Sequence, residues 1–202
     1  MLAAENLRCV RGPRTLFRAL GFSLGAGEAL RVAGANGSGK TSLLRILCGL
    51  LAPAEGTVRW HGEPIGALGE EYARRLAYVG HAPGVKEDLS AAENLRFAAA
   101  LSGRPAGAAQ VAEALARMGL PSPAHPVRKL SQGQRRRVAL ARLVLSAAAP
   151  LWLLDEPFAA LDPAAAREVE ALVAGHVAAG GIVVYTTHQD ARIGGRVIDL
   201  DA

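Results

Sequence analysis

The chain has 202 residues, half of them apolar, with a formal net charge of +5, two cysteines and five histidines. That length supports one substantial core with room for an inserted lobe, and the apolar content excludes a disordered tail. No uncharged apolar run reaches the roughly 18 residues of a membrane-spanning helix, and Cys9 and Cys48 stand apart, outside any zinc or haem-attachment spacing.

The opening "MLAAENLRCVRG" has neither the basic start nor the apolar stretch of a secretory leader. The expectation is a cytoplasmic protein, held at a membrane only through partners. Basic residues are spread along the chain and aromatics are few, so the excess charge reads as a solvated arginine-rich face rather than a nucleic-acid surface.

Residues 2–9, 16–24 and 28–33 alternate or run apolar between glycines and are read as strands. A helix is expected from Lys40 to Leu50, stopped by Pro53. Residues 56–60 and 75–79 are further strands. From about 84 to 146 the character becomes helical: Ser90 and Glu93 form a capping box, a second helix covers 107–118, and a Pro-rich linker at 121–126 leads into "LSQGQRRRVALAR". "LWLLDEP" (151–157) and "GIVVYTTH" (181–188) read as buried parallel strands. Between them Asp162 and Pro163 suit the N-cap and first turn of a helix to about 178, and "RVIDL" is a last strand. The alternation predicts a three-layer α/β core, one unit over 1–202, with a helical subdomain at about 84–146 inserted in it.

"GANGSGKT" (34–41) lies between a predicted strand and a predicted helix, the context of a phosphate-binding Walker A loop. Glycines let consecutive backbone N–H groups turn inward onto phosphate oxygens, and the helix N-terminus adds positive potential. The candidate nucleotide-binding set is Gly34, Ala35, Asn36, Gly37, Ser38, Gly39, Lys40, Thr41 and Ser42. Lys40 would neutralise the β- and γ-phosphates, and Thr41 would offer its hydroxyl to Mg²⁺. Asp155 ends a buried strand, where α/β sheets bind ligands, and suits a second metal-holding group. Glu156 follows as candidate general base, and His188 ends the next strand, within reach of a γ-phosphate. Ser131 and Gln134 read as a capping box opening another helix. Arg135, Arg136 and Arg137 read as a solvated basic face of that helix.

The series "GANGSGKT", "LSQGQ", "LWLLDEP", "ALD" and His188, in that order, resembles the ATP-binding cassette ATPases over essentially the whole chain. The resemblance implies a P-loop NTPase core with an antiparallel β subdomain and a helical subdomain, ATP and Mg²⁺ as ligands, and a head-to-tail homodimer. Ser131 and the N–H groups of Gly133 and Gln134 would touch the γ-phosphate bound by the opposite subunit, with Asp162 coupling the two sites. A groove near 81–97 would receive a cytoplasmic helix of an integral membrane permease.

Longer stretches, notably 78–97 and "TTHQ", look like the haem-exporter ATP-binding subunits of bacterial cytochrome c maturation. That implies ATP hydrolysis driving haem export or haem-chaperone release at the cytoplasmic face of the inner membrane. The short run past His188 implies no regulatory extension. Alternatives are a lipid, peptide or drug exporter, or a soluble ATP-gated clamp on nucleic acid or ribosome. Two positions depart from the wider family: His81 and Ala82 stand where most cassettes place a metal-sensing glutamine, and no aromatic stands near Val10 and Arg11 to stack on adenine.

Overall fold

A computed structural model describes residues 1–120, 125–189 and 193–201. The Pro-rich linker expected at 121–126 thus lies mostly outside the described residues. The strands are β1 (Leu2–Arg11), β2 (Arg14–Leu24), β3 (Ala29–Ala33), β4 (Glu55–Trp60), β5 (Glu63–Pro64), β6 (Leu76–Val79), β7 (Leu151–Asp155), β8 (Ile182–Thr186) and β9 (Arg196–Asp199). The helices are α1 (Lys40–Leu47), α2 (Ile65–Leu68), α3 (Glu70–Arg74), α4 (Ala91–Leu101), α5 (Ala108–Arg117), α6 (Gln132–Leu145) and α7 (Pro163–Ala178).

Two sheets form. An antiparallel one runs β2-β1-β4-β5, and a parallel one runs β6-β7-β8-β3-β9. The central strands β7 and β8 are buried throughout because both their faces are covered. On one side Leu30, Val32, Leu151, Leu153, Ile182 and Val184 meet α1 and the antiparallel sheet. On the other, Trp152, Leu154, Val183 and Tyr185 meet residues of α6 and α7. This is the three-layer core and antiparallel subdomain expected from the sequence. Helices α4, α5 and α6 fall between β6 and β7, within the stretch read as a helical insertion.

The core fixes the phosphate-loop helix. Leu43, Leu44, Ile46 and Leu47 of α1 are each at most 1% exposed. Burying side chains of this size contributes about 1.5–3 kcal/mol apiece, so α1 is a rigid base for the loop before it.

Two details differ from expectation. Helix α1 ends at Leu47 rather than Leu50. The Gly49 N–H bonds the Ile46 carbonyl and the Leu50 N–H bonds the Arg45 carbonyl, so a Schellman cap closes the helix before Pro53 is reached. Strand β5 and helices α2 and α3 were not expected, being too short for periodicity to show. His176 in α7 is buried, its ring stacked on Trp152 with centroids 3.9 Å apart. Burial pulls its pKa from 6.5 down to about 4.

Candidate functional site

The site sits at the carboxyl ends of β3, β7 and β8, which are neighbours in the parallel sheet. The chain leaves β3 into the 34–39 loop and re-enters a helix at Lys40. Gly39, the N-cap of α1, has φ 111°, and a Cβ there would lie 3.1 Å from Leu16 and Phe17 side-chain atoms. Only glycine meets both constraints. The Lys40 ammonium is folded over the loop, donating to the Gly34 carbonyl at 2.7 Å and the Ala35 carbonyl at 2.8 Å. The loop is braced from outside by the Asp201 carboxylate, which accepts the Ala35 N–H.

A cleft of about 450 Å³ opens beside the loop, lined by Asn36, Gly37, Gly39, Lys40, Thr41, Ser42, His81, Asp155, Glu156 and His188, with Arg11 and Leu16 at its edge. The structure thus brings together the phosphate-loop residues, the strand-end carboxylates and His188, drawn from three separate stretches of sequence. Arg11 lies at the end of β1.

Asp155 is 1% exposed, and both its oxygens are engaged. The Thr41 hydroxyl donates to Oδ2 at 2.8 Å, and the Thr186 hydroxyl donates to Oδ1 at 2.9 Å. The Thr41 hydroxyl and an Asp155 oxygen are adjacent hard oxygen donors at the cleft floor. That donor set fits Mg²⁺, which keeps several waters and takes only one or two protein oxygens beside phosphate.

Glu156 has φ 50°, a left-handed conformation uncommon for a non-glycine residue. Its N–H bonds Thr186 Oγ1 at 2.9 Å. Its Oε2 accepts the His188 N–H at 3.3 Å, and the His188 ring Nε2 lies 3.6 Å from Oε1. Oε1 is buried and has no hydrogen-bond partner among the described residues.

Ser131, Gly133 and Gln134 do not border this cleft. They form the start of α6, where the capping box is present: the Gln134 N–H donates to Ser131 Oγ at 3.2 Å and the Ser131 N–H donates to Gln134 Oε1 at 2.8 Å. The Gln134 N–H is thus directed at the cap in the single chain. The N–H groups of Gln132 and Gly133 open the helix without intrahelical acceptors, and the Ser131 hydroxyl keeps its own proton to donate. Gly133 is required by packing, since a Cβ there would lie 2.8 Å from the Ala160 carbonyl oxygen. Asp162 caps α7, accepting from the Ala165 N–H at 2.9 Å and the Ala164 N–H at 3.0 Å, and these bonds hold its pKa below the usual carboxylate value.

The solvated basic face expected for residues 135–137 is not observed. The Arg136 guanidinium is buried and donates to main-chain carbonyls. Arg137 donates to the Met118 and Gly119 carbonyls, and Arg135 to those of Leu130 and Arg128 and to Glu87. Sequence reasoning missed Arg136 and Thr186. A signal for Arg136 existed: it lies on one helical stripe with Ala139, Leu140 and Leu143, all fully buried. For Thr186 the signal was a hydroxyl ending an otherwise apolar strand beside one that ends in Asp155.

Among the described residues no helix is long and apolar enough to cross a membrane. The face of α4 exposes Phe97 and Leu101 and adjoins a groove of about 280 Å³ bordered by Gly84, Lys86 and Asn94.

The sequence profile of the ABC transporter family matches residues 17–159. Over 192 residues the chain is 52% identical to the "Cytochrome c biogenesis ATP-binding export protein CcmA" of Aromatoleum aromaticum, covering 95% of this chain and 90% of that protein. It is 53% identical over 203 residues to the protein of the same name from Paramagnetospirillum magneticum, covering 98% and 93%. Among solved structures, the ATP-binding cassette MJ0796, dimeric in a post-hydrolysis state bound to ADP and Pi, matches with a TM-score of 0.86 at 27% identity, covering 98% of this chain and 94% of that one.

Proposed function

Because the chain belongs to the ABC transporter ATP-binding family, we propose that it is the ATP-hydrolysing subunit of a complex that drives haem export, or release of haem from its chaperone, for c-type cytochrome biogenesis. The observation that carries the catalytic part is the single cleft lined by Lys40, Thr41, Asp155, Glu156 and His188. The relatives named as CcmA, about half identical over nearly the whole chain, support the pathway.

ATP enters with its phosphates against the 34–42 backbone. Lys40 exchanges the Gly34 and Ala35 carbonyls for β- and γ-phosphate oxygens, a stronger charge-assisted bond. Thr41 and Asp155 would hold Mg²⁺, which would supply neutralisation of the phosphate charge. Glu156 accepts a proton from water as its oxygen attacks the γ-phosphorus and the bond to the β–γ bridging oxygen breaks, yielding ADP and Pi. His188, held beside Glu156, orients the γ-phosphate. A second copy completes the site: Ser131 of the partner subunit donates its hydroxyl to the γ-phosphate, joined by the Gly133 N–H at that helix start, while Asp162 couples the paired sites. Release of Pi removes that link and opens the homodimer.

The Phe97 and Leu101 face of α4 docks an integral permease subunit from the cytoplasmic side of the inner membrane. The chain is one nucleotide-binding unit whose 84–146 lobe carries both this surface and the Ser131 helix start.

The test is a pull-down of this chain from solubilised membranes together with MgATP hydrolysis by the recovered complex. The expected results are a co-purifying permease, hydrolysis abolished by Lys40→Ala through loss of ATP binding, and loss of c-type cytochromes on deletion. Equal ATP affinity in Lys40→Ala, or normal c-type cytochromes in the deletion, would refute the corresponding part.

A further inference from the structure

Arg136 stands five residues past the N-cap of α6, with its side chain turned inward and only 4% exposed. One guanidinium nitrogen, Nη1, donates to the Gly80 carbonyl at 2.7 Å and the His81 carbonyl at 3.3 Å. The other, Nη2, donates to the Asp155 and Glu156 carbonyls, each at 2.8 Å. The four acceptors are consecutive pairs on two loops, one leaving β6 and one leaving β7, and those strands are neighbours.

Burying a full charge on neutral carbonyls is costly unless every bond is well made. A rigid planar fork can grip two loops at once, which a lysine ammonium cannot reproduce. The gripped residue Glu156 is also the one whose backbone is in the left-handed region, and a strained turn persists only where its surroundings over-determine it. Thr186 fixes that turn by its N–H and Arg136 fixes it by its carbonyl.

We propose that Arg136 is a positioning residue for ATP hydrolysis: it locks the Glu156 turn that aims the carboxylate and ties it to the His81 loop and to helix α6. This rests on the assignment of Glu156 as the base that activates water. Arg136 does not line the nucleotide cleft. The effect proposed for it runs through the orientation of Glu156, whose carbonyl it holds beside that of Asp155, and a misplacement of about 1 Å in such a group lowers turnover by up to roughly 100-fold. The arrangement also joins three parts of the chain. The loop after β6 lines the cleft through His81 and the proposed permease groove through Gly84, α6 carries Ser131 at its start, and both are tied to the backbone of the same chain's base.

The experiment compares wild type, Arg136→Gln, Glu156→Gln and the double variant as the assembled complex, measuring kcat, KM for MgATP, ATP affinity and melting temperature. The expected result for Arg136→Gln is a kcat lowered roughly 10–100-fold with KM and ATP affinity within about twofold. In the Glu156→Gln background the same substitution should lower residual turnover by less than about twofold, since its route of action is already gone. A purely structural role would cost the same factor in both backgrounds, and that outcome overturns the proposal, as does wild-type kcat in Arg136→Gln or a loss confined to KM. If Arg136→Gln fails to fold, Arg136→Lys keeps the charge without the fork and is read by the same criteria. Normal turnover in the Arg136 variants beside an inactive Lys40→Ala removes this inference and leaves the proposed function standing. Absence of MgATP hydrolysis by the wild-type complex overturns both.

Discussion

Replacing Thr186 with valine isolates the hydroxyl that ties the two strand-end carboxylates together. The substitution preserves shape and the β-branched preference of a strand position, and Thr186 is fully buried in β8. Its Oγ1 donates to Asp155 Oδ1 at 2.9 Å and accepts from the Glu156 N–H at 2.9 Å. Valine leaves one oxygen of a buried carboxylate and one backbone N–H without these bonds. An orphaned neutral group costs about 1–3 kcal/mol and one beside a charge somewhat more, so the pair amounts to about 2–4 kcal/mol allowing for non-additivity. For a chain of this size each kcal/mol lowers the melting temperature by about 2–4 °C, giving a drop of roughly 4–16 °C. Thermal unfolding followed by circular dichroism measures this, with Thr186→Ser as the control that keeps the hydroxyl and loses only a methyl group. Turnover should fall with ATP affinity retained, because Thr41 and Lys40 keep their places while the Glu156 turn loosens. A valine variant as stable and active as wild type, or a serine variant worse than valine, would show that packing rather than the hydroxyl matters there.

Two further substitutions test other parts of the account. His176 has a folded pKa of about 4 against 6.5 unfolded, so the unfolded chain binds the extra proton between those values. Stability then rises with pH from about 4 to 6.5 and is lost as pH falls through that window, by up to about 3 kcal/mol; His176→Phe, which keeps a ring against Trp152, should flatten that part of the curve in denaturant titrations, and an unchanged slope refutes the assignment. Gly133→Ala places a Cβ 2.8 Å from the Ala160 carbonyl, which forces the start of α6 to shift at a cost of about 1–3 kcal/mol. ATP binding to the single chain should be unchanged while ATP-dependent dimerisation measured by light scattering weakens, and equal dimerisation would show that the helix start is not in the interface.

Much of this architecture was legible because local rules and global fold agree. The glycine loop between a strand and a helix, the two capping boxes, Asp162 with Pro163, and the apolar runs ending in Asp155 and preceding His188 each follow from short-range chemistry, and each stands where expected. The arginines were misread because charge invites a surface assignment, whereas Arg136 is held inside by four carbonyls contributed by residues 80, 81, 155 and 156. No window of sequence contains that set. Thr186 was overlooked for the same reason, since its importance lies in parallel pairing with Asp155 on the neighbouring strand. The end of α1 turned on Gly49 rather than Pro53, a nearer stop signal that a breaker farther along had obscured.

The account rests on a nucleotide held between two copies, and Glu156→Gln loaded with MgATP is the state in which to look, because binding survives while the base is lost. A structure of that trapped species should place the hydroxyl of the partner subunit's Ser131 within about 2.5–3.0 Å of a γ-phosphate oxygen seated in the 34–42 loop. A monomer under saturating MgATP, or a dimer in which Ser131 lies far from nucleotide in both protomers, would contradict it.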